Sequence, residues 1–449
     1  METKKSTDLF LRLRPHMEKP SKDWYVLFLT CALLLSWGFY AFYRQFTDGH
    51  GITGMRDNVV WGVYIVNFIY LLGLSYAGAL ISAIFHLARI EWGKPFIRIL
   101  ELFSFICLII GPIYILLCIG KLDRLLYLFM YPRLQSPITW DIIAIMTDLV
   151  FCTVYLYMTF IKDIAKMSIA SETMNMSNWR KKLYKIMAFG FTGTKQQISY
   201  LDKAMDIMAS IIIPTVIVAY SLLAWLFGMN LRPGWNSTIF APYFVLTAAF
   251  SGVALLIILL WISRNLFKIK DIFTDKYFYI LGYGLLLLSF IFGYFTFSEY
   301  ITTWYNTQHA TSTLLDKVQD FDQYGYMYLA TWIFATALPI IFIGFPWFRK
   351  PKTIVFTAVF VLLALYMNRY LIMVPVLETP YLTIVNPDPA YYNYIPTWVE
   401  YALSAAGIAA AVMLFMLLTK FVPILPLEEM KEGKRKIKIF GITLETHEK

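Results

Sequence analysis

The chain has 449 residues, of which 59% are hydrophobic and only 15% are charged, and its mean hydropathy is +0.60. Soluble globular chains carry about 25% charged residues, so this composition excludes a soluble enzyme and indicates a polytopic protein of the lipid bilayer. The net charge of +10 does not predict nucleic-acid binding, because the basic residues are spread over the connections between apolar segments.

Ten apolar segments follow one another along the chain, each about twenty residues long or longer, as a helix needs to cross the hydrocarbon core. They show no alternation of polar and apolar residues, which favours α-helices over strands. We expect the spans at residues 24–43, 59–88, 95–119, 138–162, 201–227, 240–262, 277–298, 326–348, 352–374 and 397–422. The predicted fold class is an all-α integral membrane protein with ten transmembrane helices, forming two four-helix bundles plus two peripheral helices.

These segments also predict the division of the chain. We expect a cytoplasmic N-terminal segment (1–23), a first span with its outer loop (24–58), a first bundle carrying the candidate site (59–227), a second bundle (228–374), an outer loop with the last span (375–422) and a cytoplasmic tail (423–449). The N-terminal residues have no signal-peptide pattern, so the first apolar segment is predicted to be a retained span.

The distribution of Lys and Arg predicts the orientation. The termini and the connections on their side hold 31 of the 39 basic residues, the opposite loops hold 7, and Arg369 lies within a span. Basic residues concentrate on the cytoplasmic side, so both termini are expected there, in the inner membrane of a bacterial cell.

Three connections are long enough to have a role of their own. The inner one, residues 163–200, contains a Trp-Arg-Lys-Lys run at Trp179 and is predicted to form an amphipathic helix at the headgroups. The outer loops 299–325 and 375–396 are either a docking surface for an extracytoplasmic partner or simple caps on the bundles.

The cysteines and histidines do not predict a redox centre within this chain. Cys31, Cys107, Cys118 and Cys152 fit no iron–sulfur or zinc spacing, and only His86 of the five histidines lies at membrane depth. We therefore expect no haem and no iron–sulfur cluster here, so a partner subunit must carry the electrons of any redox reaction.

Two acids in the fourth span are the strongest site candidates. Asp141 and Asp148 are seven residues apart, which is two helical turns, so they share one face of a helix. An acid inside a membrane helix is costly and indicates function. Asp141 lies close enough to the start of the span to be a helix N-cap instead, whereas Asp148 is too deep for that role.

Residues that suit a quinone surround these acids in the sequence. A quinone site needs a base for the hydroxyl proton and an apolar or aromatic slot for the ring. Asp141 and Asp148 offer the base, and the slot and headgroup contacts are assigned to Asn58, Trp61, Tyr64, Tyr114, Cys118, Lys121, Arg124 and Trp140. Trp61 and Tyr64 are also explained as aromatic belt residues at the membrane interface, and for Trp61 this is the favoured interpretation.

Other charged residues at membrane depth predict a route for protons. His86, Glu101 and Asp148 are expected to form its inner half, with Glu299 and Arg369 as further members. Two structural alternatives stand beside this prediction. Glu101 can pair with Arg98, and Arg369 can pair with Glu299 or with Glu400.

Four motifs in register resemble one known family. The stretches WGVYIVNFIYLLGLSYAGALISAI, RILELF, IGKLDR and SPITWDI resemble the NrfD/PsrC family of polysulfide-reductase-type membrane subunits, with the closest similarity to the ten-span members of alternative complex III. The resemblance implies a quinone site (for menaquinone or ubiquinone) near the outer face of the first bundle, with proton translocation possible. It also implies partners: a ferredoxin-like iron–sulfur subunit, a molybdopterin-enzyme-like subunit or a multihaem cytochrome c, and other membrane subunits.

Residue by residue, the resemblance places Asp141 at a family acid beside the quinone head, Lys121 and Arg124 in its Gly-Arg-Pro-type loop, and Glu101 at an Ala-Glu-like position. This chain has Cys118 where the alternative-complex members have His, and Leu122 where they have Pro. Loss of the His removes a proton acceptor.

The sequence leaves three functions open. The first is a quinone-interacting subunit of a respiratory oxidoreductase, and the second is a structural sister subunit without a working quinone site. The third is a non-redox transporter. Transporters often break two corresponding spans with Gly or Pro, whereas Pro214 and Pro339 of this chain are isolated, which argues against this function.

Overall fold

The fold is known from a computed structural model. It describes residue 20 and residues 22–90, 93–171, 177–266, 270, 273–305, 308–381, 393–421, 435–439 and 442–446. Most of the predicted N-terminal segment, part of the outer loop 375–396 and most of the tail lie outside the described residues.

Thirteen α-helices and a two-stranded hairpin are the main elements of the described part of the chain. The helices are α1 (Lys22–Asp48), α2 (Gly62–Leu87), α3 (Lys94–Ile119), α4 (Tyr127–Met130), α5 (Pro137–Ala170), α6 (Asn178–Met187), α7 (Lys195–Gly228), α8 (Phe240–Leu266), α9 (Asp275–Tyr305), α10 (His309–Gln319), α11 (Gly325–Trp332), α12 (Pro351–Leu377) and α13 (Trp398–Phe421). The strands β1 (Arg435–Ile439) and β2 (Ile442–Thr446) pair antiparallel in the tail.

Ten of these helices are long and apolar enough to cross a membrane, so the predicted all-α membrane fold with ten spans is confirmed. α5 and α7 begin and end outside the predicted spans and reach 34 residues each. α11 continues to Gly344 through two π-helical turns on either side of Pro339. Proline lacks the N–H that an α-helix needs at this position, which explains the wider turns.

The contacts between spans fall into two groups. α2, α3, α5 and α7 contact one another, and α8, α9, α11 and α12 form the second group, with α2 packed against both α8 and α12. α1 and α13 pack against each other, and α13 also contacts α3. Small residues allow this packing, since Ala77 closely approaches Gly252 and Gly73 leaves room for the Tyr220 hydroxyl.

Two short helices lie in the long connections. α6 falls within the inner connection for which an amphipathic helix was predicted, and it carries Arg180, Lys181, Lys182 and Lys185. α10 lies in the outer connection and buries Leu314, Leu315 and Val318 against the second group of spans. The orientation of the termini stays a prediction from the charge distribution.

Candidate functional site

The two predicted acids are buried and only partly satisfied by hydrogen bonds. Asp141 is 6% exposed and Asp148 is 1% exposed, and one oxygen of each carboxyl group (Oδ1 of Asp141, Oδ2 of Asp148) has no hydrogen-bond partner. α5 begins at Pro137 after the N-cap residue Ser136, so Asp141 is the fifth helical residue and the alternative of a helix N-cap is wrong. Buried polar atoms without partners are rare in proteins, so each needs an explanation, and a catalytic role is one such explanation.

Tyr76 on α2 faces both acids, a role that the sequence did not suggest. Its side chain is fully buried, and its hydroxyl forms no hydrogen bond of standard geometry but interacts electrostatically with Asp148 and Asp141. Cys152, one turn below Asp148 on α5, belongs to the same cluster. Asp141, Asp148, Tyr76 and Cys152 are called the acid cluster below.

An apolar groove lies beside the acid cluster, between α5 and α7. Its volume is about 480 Å³, within the range of small-molecule sites, and it is lined by Trp140, Ile143, Ala144, Thr147, Pro214, Thr215, Val218, Ala219 and Leu222. Ile143 and Val218 are exposed on the outer surface of the helices, so the groove opens towards the lipid. Ala144 lies one turn from each acid, which makes this small side chain part of the wall between groove and carboxylates.

The other predicted quinone ligands lie around the outer end of α2 and α3. The Tyr64 hydroxyl donates to Gln45 of α1 (2.7 Å), and the Tyr114 hydroxyl lies 3.2 Å from the Leu403 carbonyl oxygen of α13. Cys118 lies with its Sγ 3.8 Å from the Trp61 carbonyl oxygen.

The remaining four predicted ligands are divided between the interior and the surface. Trp61 packs edge-on against Phe227 of α7, and Asn58 is buried. Lys121 and Arg124 are exposed in the loop after α3. The structure therefore places Trp140 on the groove beside the acid cluster and Tyr64 and Tyr114 against the peripheral helices.

A second buried carboxylate holds the outer loops, and sequence reasoning missed this role. Glu400 of α13 is 0% exposed and accepts hydrogen bonds from the backbone N–H groups of Gly54 (2.8 Å) and Thr397 (2.9 Å) and from the Tyr394 hydroxyl. Tyr394 also bonds the Val63 N–H at the start of α2. Burial lowers the pKa of the nearby His50 imidazole, and the charge of Glu400 opposes that shift.

The inner half of the first group contains further polar pairs. The Ser82 hydroxyl donates to Glu101 and lies 3.4 Å from the Tyr155 hydroxyl. Arg98 forms a buried ion pair with Asp163 of α5. At the inner end of α2, His86 lies 2.9 Å from Asp206 of α7.

The ion pairs predicted for Arg369 as a structural alternative are wrong. Arg369, Glu299 and Glu400 all lie within the described residues, and Arg369 forms an ion pair with neither acid. It is 3% exposed, donates to the Tyr220 hydroxyl (3.3 Å) and to Thr247, and lies over the Phe244 ring at 4.0 Å. Glu299 instead accepts from the Ser237 hydroxyl at 2.7 Å.

No cluster of three or more His, Cys, Asp or Glu side chains suited to a metal ion occurs among the described residues. Cys31, Cys107, Cys118 and Cys152 are all free thiols.

Comparison with known proteins identifies the family. The model of the polysulphide reductase family NrfD matches residues 51–380, which is most of the chain and contains the acid cluster, the groove and Arg369. The chain belongs to the NrfD family.

Individual NrfD relatives are similar at low identity. A putative membrane subunit of dimethyl sulfoxide reductase from Halobacterium salinarum is 29% identical over 51% of this chain and 49% of its own, so the match spans about half of that relative. A subunit of selenate reductase from Mesobacillus selenatarsenatis is 22% identical over 86% of this chain and 91% of its own. The integral membrane subunit of menaquinone reductase from Nitratidesulfovibrio vulgaris is 22% identical over 88% of this chain and 90% of its own.

These relatives are named as subunits of reductases, in agreement with the family predicted from the four motifs. The particular closeness to alternative complex III stays a prediction. The same holds for the roles of the individual site residues.

Proposed function

We propose that this chain is the quinone-interacting membrane subunit of a respiratory oxidoreductase complex, in which the acid cluster exchanges protons with a quinol bound from the adjacent groove. The observation that carries this proposal is the pair of buried acids, each with an unpartnered oxygen, one turn from the wall of an apolar groove that opens to lipid. A quinone has a long apolar tail and a polar ring, so it needs this combination.

The chemistry assigns separate tasks to the carboxylates and the groove. Oxidation of a quinol releases two protons and two electrons, and reduction of the quinone reverses both transfers. Asp141, nearer the outer end of α5, accepts the first proton, and Asp148 together with the Tyr76 hydroxyl receives the second. Trp140 and the apolar groove side chains hold the ring and exclude water from it.

The electrons go to, or come from, a partner subunit. The described residues contain no cluster suited to a metal ion, and the relative from Nitratidesulfovibrio vulgaris is named as a subunit of menaquinone reductase. We therefore propose a ferredoxin-like iron–sulfur subunit as the direct redox partner, with a molybdopterin-enzyme-like subunit or a multihaem cytochrome c beyond it. The outer connections, including α10, offer the docking surface nearest the outer end of the spans.

A line of polar groups continues from the acid cluster towards the inner side. One face of α5 carries Asp148, Cys152, Tyr155 and Asp163 at intervals of three, four or eight residues. Ser82 lies against Tyr155, and Glu101 accepts a hydrogen bond from Ser82. From Asp141 to Asp163 this face is about 33 Å long, roughly the thickness of the hydrocarbon core. We propose that it takes up protons from the cytoplasmic side and makes proton translocation possible.

One observation favours the alternative of a structural sister subunit. Cys118 stands in the loop motif where the resembling sequences have His, and its Sγ contacts the Trp61 carbonyl oxygen at a long distance. The groove and the acid cluster do not depend on this position, because neither contains it.

Blocking the groove tests the proposal. Ala144→Phe places a ring in the groove beside the acids, so quinone-linked electron transfer in membranes should fall about tenfold or more, a change equivalent to about 1.4 kcal/mol. Val150→Phe is the matched control, because Val150 is an exposed α5 residue outside the groove. Equal turnover of the two variants, in assembled complexes, would mean that the quinone binds elsewhere.

A further inference from the structure

A second polar site lies in the other group of spans. A partly open cavity of about 90 Å³ lies between α8, α9, α10 and α12, and its polar lining includes Tyr243, Thr296, Glu299 and Asn368. It is too small for a quinone, but it has room for about three water molecules at roughly 30 Å³ each. No part of the quinone reaction proposed above uses it.

The lining offers the partners that bound water needs. Asn368 is 5% exposed, and its Oδ1 has no hydrogen-bond partner. The Tyr243 hydroxyl lies 3.2 Å from the Thr296 hydroxyl, and Glu299 accepts from Ser237 through Oε2. An apolar cavity stays dry, whereas two to four polar partners hold a water molecule in place.

Arg369 lies next to this site and carries a charge that no carboxylate among the described residues neutralises through an ion pair. The Nη1 atom of Arg369 has no hydrogen-bond partner. The Arg369 guanidinium interacts electrostatically with Tyr243, and Tyr243 interacts electrostatically with Glu299 as well. Tyr300 is another titratable group that interacts with Glu299. An uncompensated guanidinium at membrane depth is costly, which argues for a working role.

Two tyrosines connect Arg369 with the acid cluster. Arg369 donates to the Tyr220 hydroxyl at 3.3 Å, and the Tyr220 ring meets the Tyr76 ring edge-on, with centroids 5.4 Å apart. Tyr76 faces Asp148 and Asp141. The two groups of spans thus share a continuous row of polar and aromatic side chains.

We propose that the cavity is a hydrated proton-exchange site, where Glu299 takes up a proton from water held by Asn368, Tyr243 and Thr296 and returns it, and that Arg369 couples this site electrostatically to the acid cluster. Each transfer moves one excess proton, which arrives from the bulk as hydronium and is relayed by the held water molecules, onto the Glu299 carboxylate. The relaying water is left neutral, the carboxylic acid returns the proton by the same route, and no electrons move. The coupling rests on the proposed function, whereas proton exchange at Glu299 does not.

Infrared difference spectroscopy of the purified intact complex during a pH change tests the site without any quinone. A carboxyl C=O band that shifts in D₂O should be present in the native complex and absent in Glu299→Gln. Glu378→Gln is the matched control, because Glu378 is buried on the same side of the protein but is bonded to Lys317 and Tyr324. In that variant the band should remain. Asn368→Leu, which removes the water ligand, should slow the deuterium shift, and it serves as the second variant if Glu299→Gln does not assemble.

The proposed site is wrong if the carboxyl band is unchanged in Glu299→Gln. It is also wrong if the deuterium shift is as fast in Asn368→Leu as in the native complex. Coupling is measured through the midpoint pH at which the Glu299 band appears. This midpoint should change in Asp148→Asn, and the change should be lost in the double variant that also carries Arg369→Gln. If the midpoint pH of the Glu299 band is the same in Asp148→Asn as in the native complex, the proposed coupling is wrong. Failure of the quinone proposal looks different, because it leaves the Glu299 band intact while Ala144→Phe retains full turnover.

Discussion

Asp141→Asn should lower quinone-linked electron transfer about a hundredfold or more while the complex assembles normally. A positioned base contributes about 10²–10⁴-fold to such reactions, and an amide of the same size cannot accept the quinol proton. Assembly should be unaffected because Asp141 Oδ1 makes no hydrogen bond that the substitution would break. Turnover is measured in membranes with a quinol analogue and an artificial electron acceptor or donor.

Two further variants calibrate this result. Asp123→Asn alters an exposed acid in the loop after α3 and should leave turnover unchanged. Asp148→Asn, two turns deeper, should slow turnover less than Asp141→Asn if it receives the second proton. Full activity of Asp141→Asn would show that the acid cluster is not the site of quinol deprotonation and would favour the structural sister subunit.

The second large effect is expected from Glu400→Ala, which should destabilise the outer side of the protein. The substitution leaves the Gly54 and Thr397 N–H groups and the Tyr394 hydroxyl without their shared acceptor. Each buried donor left unsatisfied costs about 1–3 kcal/mol, so the free energy of unfolding should fall by about 3 kcal/mol or more. The measurement is thermal denaturation of the purified complex.

Glu400→Gln is the matched control for this prediction. The amide keeps one carbonyl oxygen as acceptor, so its loss of stability should be clearly smaller than that of Glu400→Ala. If both variants unfold at the same temperature as the native protein, the hydrogen bonds of Glu400 do not stabilise the outer loops.

Segment length and hydropathy were enough to predict the ten spans, because the hydrocarbon core imposes both. The spacing of Asp141 and Asp148 was likewise enough to place both acids on one buried face of α5. Sequence could not predict which way the other side chains point. Lipid and protein interior are equally apolar, so a helix such as α2, buried on nearly all sides, carries no polar stripe to reveal its orientation.

This limit explains the particular differences. Tyr76 was overlooked because a tyrosine in an apolar span is indistinguishable from a packing residue until α5 brings two acids against it. The hydroxyls of Tyr64 and Tyr114 bond Gln45 and α13, which the sequence did not predict, and the assignment of both residues to the quinone stays a prediction. The role of Glu400 depends on Gly54, which is 346 residues away, and no local pattern reports such a contact.

Photolabelling with an azido-quinone tests the central claim most directly. The intact complex is illuminated with the probe, with and without excess unlabelled quinone, and the adducts are located by mass spectrometry of its peptides. The account predicts displaceable adducts on groove residues of α5 and α7, around Ala144, Thr147 and Thr215, and their loss in Ala144→Phe but not in Val150→Phe. Displaceable labelling confined to other helices, or none at all on this chain, would contradict it.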